Sequence, residues 1–259
     1  MDRRSTFGAL GGAALAGLLP RSRADAQTPV SATRKFSIGM IIFDQMTNLD
    51  FVGPNQVFGG APNSKIHVIA KSLDPIVTDT GCRVLADTTF NDAPELDLIF
   101  IGGGGGTTRL MDDPQVLDFL RSRAPRAQWI TAVCTGTLVL GAAGLLRGYK
   151  ATTHWTAIEL LPVLGAQPIE DRVVIDRNRV TGGGVTAGID FGLVILAHIW
   201  GTDVARRAQL ILEYAPTPPF DSGSPKTASP GLVAAVLKSW TKILDGRRSA
   251  ATRAAARFG

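Results

Sequence analysis

The chain alternates short apolar runs with longer segments of helical character. Short apolar runs bounded by turn residues are typical of β-strands, and longer segments with apolar residues three to four positions apart are typical of helices. This alternation favours a parallel sheet covered by helices on both faces. It therefore predicts an α/β protein, a single three-layer α/β/α sandwich over residues 36–258. The predicted strands lie at 36–43, 65–71, 97–101, 129–133 and 150–153, with hairpins at 75–87 and 172–181, and the predicted helices lie at 51–58, 112–123, 135–143, 155–164, 186–200, 203–212 and from 230 onwards.

The segment 129–140 has the pattern of a nucleophile elbow. Five strand-type residues lead directly into Cys134, and small residues then begin an apolar helix. Such a turn lifts the side chain clear of the sheet, and the free N–H groups and positive dipole end of the helix face the sulfur. Both effects favour the thiolate, which is the nucleophilic form. A buried cysteine that only fills space beside Ala132 and Gly136 fits the same pattern, and the elbow alone does not decide between the two.

Composition and charge exclude several classes of protein. The sequence is 45% hydrophobic with a mean hydropathy of +0.15, enough to build a globular core. The first 26 residues carry a charge of +2 and the last 22 a charge of +5, which together exceed the net charge of +5, so the body between them is slightly acidic at −2. A body of this kind argues against nucleic-acid binding. The basic C-terminal segment is most simply a solvated helix face, with a weak contact to an anionic surface as the alternative.

The N-terminus has the pattern of an export signal. Arg3 and Arg4 precede an apolar run at 7–19, and the sequence Ala-Asp-Ala at 24–26 fits a cleavage site. The arginine pair resembles a twin-arginine signal. The apolar run is too short to span a bilayer, and no other stretch is long enough, so no stable membrane association is expected. We therefore predict an export signal at 1–26 and a periplasmic protein; the alternative is a cytoplasmic protein with an uncleaved tail.

Cys82 and Cys134 are the only cysteines in the sequence. An exported protein could join them. We expect no disulfide, because it would consume the only plausible nucleophile.

Five consecutive glycines at 102–106 follow the strand at 97–101. No Gly-Lys-Ser/Thr follows them, and no acidic residue stands where a ribose contact is needed, so nucleotide binding is not favoured. The alternative is a loop whose backbone N–H groups face the elbow. The N–H of Gly104, together with that of Thr135, could then stabilise negative charge on a reacting atom. A plain tight turn at Gly104 remains open.

A cysteine nucleophile needs a partner that manages protons. His67 and His198 lie in apolar segments and are expected in the core, whereas His154 follows a strand near the same rim. The histidine spacing predicts no metal site. Asp50, after the first strand, could hold a proton near the sulfur, although an aspartate there could equally cap a helix.

Six motifs stand in order along the chain: MIIF at 40–43, LDFVGP at 49–54, AVCTGTLVLGAAGLL at 132–146, ATTHW at 151–155, TGGGVTAGID at 181–190 and LEYAPTPPF at 212–220. Taken together they resemble the ThiJ/PfpI superfamily, and specifically its isonitrile hydratase branch. The resemblance covers residues 36–258 and implies a flavodoxin-like, mostly parallel sheet of the class I glutamine amidotransferase type. It also implies a homodimer and a site without a cofactor.

The resemblance also implies a reaction. Cys134 attacks the terminal carbon of a small isonitrile, Asp50 transfers the proton, and water releases an N-substituted formamide from the thioimidate. Thr135 contributes a hydroxyl near the site, where other branches often carry histidine. We expect the pocket wall to include His154, Gly183 and Val185.

Two features depart from the family pattern. The glycine loop begins Gly102-Gly103-Gly104 where the family commonly has Pro-Gly-Gly, and an export signal is unusual in these enzymes. Two other functions remain as alternatives: a cysteine-based redox sensor or aldehyde-handling enzyme, and the ligand-sensing half of a transcription regulator. The regulator is less favoured, because the segment after Phe220 is too short for a helix-turn-helix domain.

Overall fold

The computed structural model describes residues 35–258, so the predicted export signal at 1–26 lies outside the described part. In chain order the strands are β1 (Phe36–Ile41), β2 (Ser64–Ala70), β3 (Ile76–Val77), β4 (Arg83–Val84), β5 (Thr88–Thr89), β6 (Leu98–Ile101), β7 (Trp129–Val133), β8 (Lys150–Ala151), β9 (Gln167–Pro168), β10 (Val173–Asp176) and β11 (Arg179–Gly182). The α-helices are α1 (Asn48–Phe58), α2 (Thr107–Leu110), α3 (Pro114–Arg123), α4 (Gly136–Ala142), α5 (Ala187–Trp200), α6 (Thr202–Ile211), α7 (Pro230–Ser239) and α8 (Thr241–Ala256).

The central sheet has seven strands within residues 35–258, in the order β10-β11-β7-β6-β1-β2-β5. Every neighbouring pair is parallel except the hairpin β10–β11. Ile101 lies beside both Ile41 and Ala132, so β1, β6 and β7 end at the same edge. The glycine loop and the elbow therefore follow neighbouring strands at the carboxyl edge, where open α/β sheets bind their ligands.

Helices cover both faces of this sheet. The helices α1, α5 and α6 pack together on one side, and α2, α3, α4 and α8 pack together on the other. All residues of β6 and β7 are buried, as expected for central strands covered on both faces. The predicted α/β class, the three layers and the mostly parallel sheet are confirmed.

Several local predictions need correction. The strand predicted at 150–153 ends at Ala151 and pairs with β9 outside the central sheet. The helix predicted at 155–164 is a 3-10 helix, Trp155–Leu160, and Pro162 has no N–H with which to extend a helical ladder. The helix predicted from Pro230 is divided into α7 and α8 at Trp240. No helix in the described part of the chain is long and apolar enough to cross a membrane.

Candidate active site

The backbone of Cys134 has a strained conformation that neighbouring residues hold in place. Its φ is +54°, in the left-handed region that non-glycine residues seldom adopt. Its N–H donates to the carbonyls of Gly182 (3.0 Å) and Gly183 (2.8 Å), and its own carbonyl accepts the Thr153 hydroxyl at 2.7 Å. The side chain is buried and forms no disulfide. The strand, the strained residue and the following helix α4 form the predicted nucleophile elbow.

Asp50 lies in the first turn of α1, with Thr47 in the N-cap position, so it does not cap the helix. Its side chain is fully buried. Oδ2 accepts the N–H of Gly103 at 3.0 Å, whereas Oδ1 has no hydrogen-bond partner among the described residues. The carboxyl also interacts with the Cys134 side chain. The structure therefore brings together the predicted nucleophile and the predicted proton donor.

Burial dominates the ionisation of this pair. It raises the pKa of Asp50 from 3.8 to about 7, against the opposing effects of Cys134 and of the Gly103 N–H. Burial and the charge of Asp50 also raise the pKa of Cys134 well above its usual value, although the Thr135 N–H acts in the opposite direction. The Thr135 N–H therefore favours the thiolate, as expected of the elbow, but burial and the charge of Asp50 outweigh it. Below the Asp50 pKa of about 7 the coupled pair holds two protons, and above it the pair shares one.

The raised pKa of Asp50 predicts how stability depends on pH. The folded state retains this proton up to about pH 7, and the unfolded state releases it near pH 4, so the stabilisation is full below pH 4 and is lost as the pH rises to 7. The free energy of unfolding of the wild type should therefore fall relative to that of Asp50→Asn by about 1–3 kcal/mol between pH 5 and pH 7. Urea unfolding at the two pH values measures this, with Asp203→Asn as the exposed control. Parallel profiles for wild type and Asp50→Asn would contradict the assignment.

The glycine loop supplies backbone N–H groups, but not in the predicted way. The N–H of Gly104 donates to the Thr135 hydroxyl at 3.0 Å, so it is not free to bind a reacting atom. The N–H of Gly103 is the one that binds Asp50. The buried Thr135 hydroxyl also contacts the hydroxyl of Thr107 at 3.0 Å. The Thr135 hydroxyl therefore fixes the loop, while its backbone N–H faces the Cys134 sulfur, as predicted.

Gly103 stands where no side chain fits. An added Cβ would lie 2.6 Å from the backbone nitrogen of Thr135, 2.7 Å from Cβ of Cys134 and 2.8 Å from Oδ2 of Asp50. The first is a backbone atom and the second is the root of a side chain, while Oδ2 of Asp50 is buried and held by the Gly103 N–H. The close approach of the loop to the elbow therefore requires glycine at this position.

Gly103→Ala should destabilise the protein by about 1–3 kcal/mol, because the loop must move away from the elbow. The same displacement should remove the hydrogen bond to Asp50. Urea unfolding measures the loss of stability. The matched control is Gly231→Ala on α7, where an added Cβ meets nothing within 4 Å. Equal stability of the two variants would contradict the tight fit at Gly103.

A cavity of about 550 Å³ lies behind the elbow; its lining includes Thr153 and Gly183, which hydrogen-bond the Cys134 backbone, but neither Cys134 nor Asp50. His154, Gly183 and Val185, the residues predicted for the pocket, all line it. Gly183 also accepts the Cys134 N–H, so the cavity wall continues directly into the elbow. A cavity of this size accommodates a small organic molecule.

His154 is a neutral wall residue and not a base for the cysteine. Its Nδ1 accepts the backbone N–H of Thr156 at 3.3 Å, and its ring stacks on Trp240 with centroids 5.8 Å apart. Burial, assisted by the charge of Arg247, lowers its pKa from 6.5 to about 4. The described residues contain no group of acidic, histidine and cysteine side chains able to hold a metal ion.

Arg247 is the charged residue near the site that the sequence analysis missed. The basic C-terminal segment was expected to be a solvated helix face, yet Arg247 is only 4% exposed. It shares its buried helix face with Ala250, Ala251 and Ala254. The three alanines at i+3, i+4 and i+7 were the signal that this face of α8 packs inward.

Comparisons with known proteins agree with this geometry. The model of the DJ-1/PfpI family matches residues 36–198. The chain is 50% identical over 221 residues to an isonitrile hydratase of Pseudomonas putida, which covers 85% of this chain and 97% of that protein. It is 28% identical over 134 residues to the glutathione-independent glyoxalase DJR-1.2 of Caenorhabditis elegans, covering 51% of this chain and 72% of that one.

A solved structure shows the same architecture over nearly the whole chain. The crystal structure of a ThiJ/PfpI family protein from Pseudomonas syringae superimposes with a TM-score of 0.83 at 41% identity, covering 92% of this chain and 99% of that one. The chain belongs to the DJ-1/PfpI family.

Proposed function

We propose that this protein is an isonitrile hydratase that converts isonitriles to N-substituted formamides. The observation that carries the proposal is the buried Cys134–Asp50 pair, which shares one proton beside a cavity of about 550 Å³. The 50% identity to the Pseudomonas putida enzyme over most of both chains supports the choice of substrate class. Thr135 occupies the position after the cysteine, which argues against a cysteine–histidine pair.

The first step forms the carbon–sulfur bond. In the reactive form of the pair, Cys134 is a thiolate and Asp50 carries the proton. The sulfur attacks the terminal carbon of the isonitrile, and the Asp50 proton is transferred to that same carbon, giving an S-linked thioimidate, R–N=CH–S. The negative charge moves from the sulfur to the Asp50 carboxylate.

The second step releases the product. Asp50, now a carboxylate, accepts a proton from water as the water oxygen adds to the thioimidate carbon, and passes that proton to the nitrogen, which becomes an N–H group. The carbon–sulfur bond then breaks as the remaining hydroxyl proton passes to the Asp50 carboxylate, which returns the thiolate and gives R–NH–CHO. The sum of the steps adds one water to the isonitrile, and the Cys134–Asp50 pair regains its starting charge and proton.

The surrounding backbone orders both reacting groups. The Gly103 N–H holds Oδ2 of Asp50 and so fixes the orientation of the carboxyl that exchanges the proton with Cys134. The Thr135 N–H faces the sulfur and stabilises its charge. The hydrogen bonds of the Thr135 hydroxyl hold the glycine loop against the elbow.

The main alternative is an aldehyde-handling enzyme that uses the same cysteine. The 28% identity to a glyoxalase supports this alternative. Incubation of the full chain with an aryl isonitrile and, separately, with methylglyoxal distinguishes the two functions by NMR. Formamide from the isonitrile is the expected result. Consumption of methylglyoxal without isonitrile turnover would overturn the proposal in favour of the alternative.

We also propose a homodimer. None of the ten residues of α7 is buried in the single chain, and Leu232 and Leu237 expose much of their surface. Apolar side chains presented by one helix are typical of a surface that another protein covers. The family resemblance makes a second copy the expected occupant. Light scattering coupled to size-exclusion chromatography should give twice the chain mass, and a single-chain mass would contradict the proposal.

The periplasmic location remains a proposal from the sequence pattern of residues 1–26. Fractionation of cells that express the full chain tests it. A periplasmic form shortened at the Ala-x-Ala motif is expected, whereas a full-length cytoplasmic protein would support the alternative.

A further inference from the structure

Arg247 is an arginine buried beside the candidate active site. It lies on α8, which packs against α4 and against the 3-10 helix Trp155–Leu160. The residue is 4% exposed, and its guanidinium lies 5.8 Å from the centre of the Trp240 ring. Trp240 in turn stacks on His154 in the cavity wall. Arg247 therefore lies behind the wall of the site and not on the protein surface.

The guanidinium of Arg247 forms few hydrogen bonds. Nη1 lies 3.5 Å from the Thr156 hydroxyl, and the buried Nε has no partner among the described residues. Other arginines on the same helix are paired: Arg248 bonds to Glu159, and Arg253 bonds to Asp112. No ion pair joins Arg247 to a carboxylate within residues 35–258. A buried cation without a paired anion is costly, and such a charge is normally compensated nearby.

Among the described residues, Cys134 is the acidic group whose charge acts on Arg247. The charge of Arg247 acts on the Cys134 thiol, and the thiol acts on Arg247 in return. Two charged groups act on Cys134, namely Asp50 from α1 and Arg247 from α8. Asp79 acts on Asp50, and Arg247 acts on His154, which is neutral. Of these groups Arg247 is the cation, so its charge is the one that favours negative charge on the sulfur.

We propose that Arg247 is a positioning residue that favours the reactive form of the pair, in which Cys134 carries the negative charge and Asp50 carries the proton. The guanidinium attracts charge on the sulfur and therefore moves the shared proton towards Asp50. It also leaves the buried site neutral overall, with one cation and one shared negative charge. The consequence for turnover rests on the proposed isonitrile hydration, but the effect on the sulfur does not.

The test is the pH dependence of Cys134 alkylation by iodoacetamide in the full chain, followed by intact mass. Cys82→Ser is the parent, so that only one thiol reacts. Arg247→Met and Arg247→Gln remove the charge, Arg247→Lys retains it, and Arg248→Met removes an equal charge from the exposed neighbour. Circular dichroism checks that each variant is folded.

Removal of the charge at Arg247 should shift the alkylation midpoint upwards by about one pH unit and slow alkylation at pH 7 about tenfold. The Arg247→Lys variant should recover part of this loss, and Arg248→Met should stay within about twofold of the parent. A midpoint in any folded Arg247→Met or Arg247→Gln variant equal to that of the parent would overturn the proposal. If both neutral variants unfold, Arg247→Lys decides: an upward shift of as much as about one pH unit although the charge is retained, with a parental midpoint in Arg248→Met, would assign Arg247 a structural role and overturn the proposal. Because no isonitrile is present, the result is independent of whether the proposed function is correct.

Discussion

Replacing Cys134 by serine should reduce isonitrile hydration by at least about a thousandfold, because the neutral hydroxyl cannot attack the isonitrile carbon. Serine is close in size to cysteine, so the elbow and the hydrogen bonds of its backbone should remain in place. Formamide production, measured by NMR at saturating isonitrile, gives the loss directly.

The matched control is Cys82→Ser. Cys82 is exposed and lies in the hairpin β3–β4, away from the elbow. Its replacement should leave turnover within about twofold of the wild type. Formamide production by Cys134→Ser at the wild-type rate would exclude a covalent role for Cys134, whatever the behaviour of the control.

Asp50→Asn should lower turnover by about 10²–10⁴-fold, because an amide cannot deliver the proton that the isonitrile carbon requires. The asparagine oxygen still accepts the Gly103 N–H, so the loop geometry is retained. In the wild type, turnover should rise as the pH rises through the Asp50 pKa of about 7, because the pair then loses one of its two protons and reaches the single-proton form that reacts. The residual turnover of the variant should lack this increase. Rates at saturating isonitrile from pH 5 to pH 9 measure both effects.

Asp203→Asn on the surface of α6 is the control for the loss of one carboxylate. It should retain the wild-type rate and pH profile. An Asp50→Asn variant with the wild-type profile would show that another group supplies the proton.

Most of the fold can be predicted from patterns among residues that are close in the sequence. Apolar runs separated by amphipathic segments predict the layers, and Asp113 followed by Pro114 predicts the start of α3, where the Asp113 side chain accepts the N–H of Gln115. The elbow is equally local, since its strand, cysteine and small residues are consecutive at 129–140. These features need no knowledge of distant contacts.

The electrostatics of the site depend on contacts between distant segments. The sequence shows the helix that favours a thiolate, but not the extent to which Asp50 and Cys134 are buried together 84 positions apart. Gly104 was predicted as a donor because it lies in the right loop; only the structure shows that Thr135 takes its N–H. The burial of Arg247 could not be predicted for the same reason. The basic segment does not show which arginine is buried until the face of α8 that packs against the protein is known.

The most direct test of the account is the infrared time course of the isonitrile stretch with the full chain and an aryl isonitrile. Wild type, Cys134→Ser and Asp50→Asn are compared at equal concentration. The account predicts loss of the stretch and equimolar formamide with the wild type, and almost no loss with either variant. A stretch that persists with the wild type, while iodoacetamide still modifies Cys134, would contradict isonitrile hydration by this site.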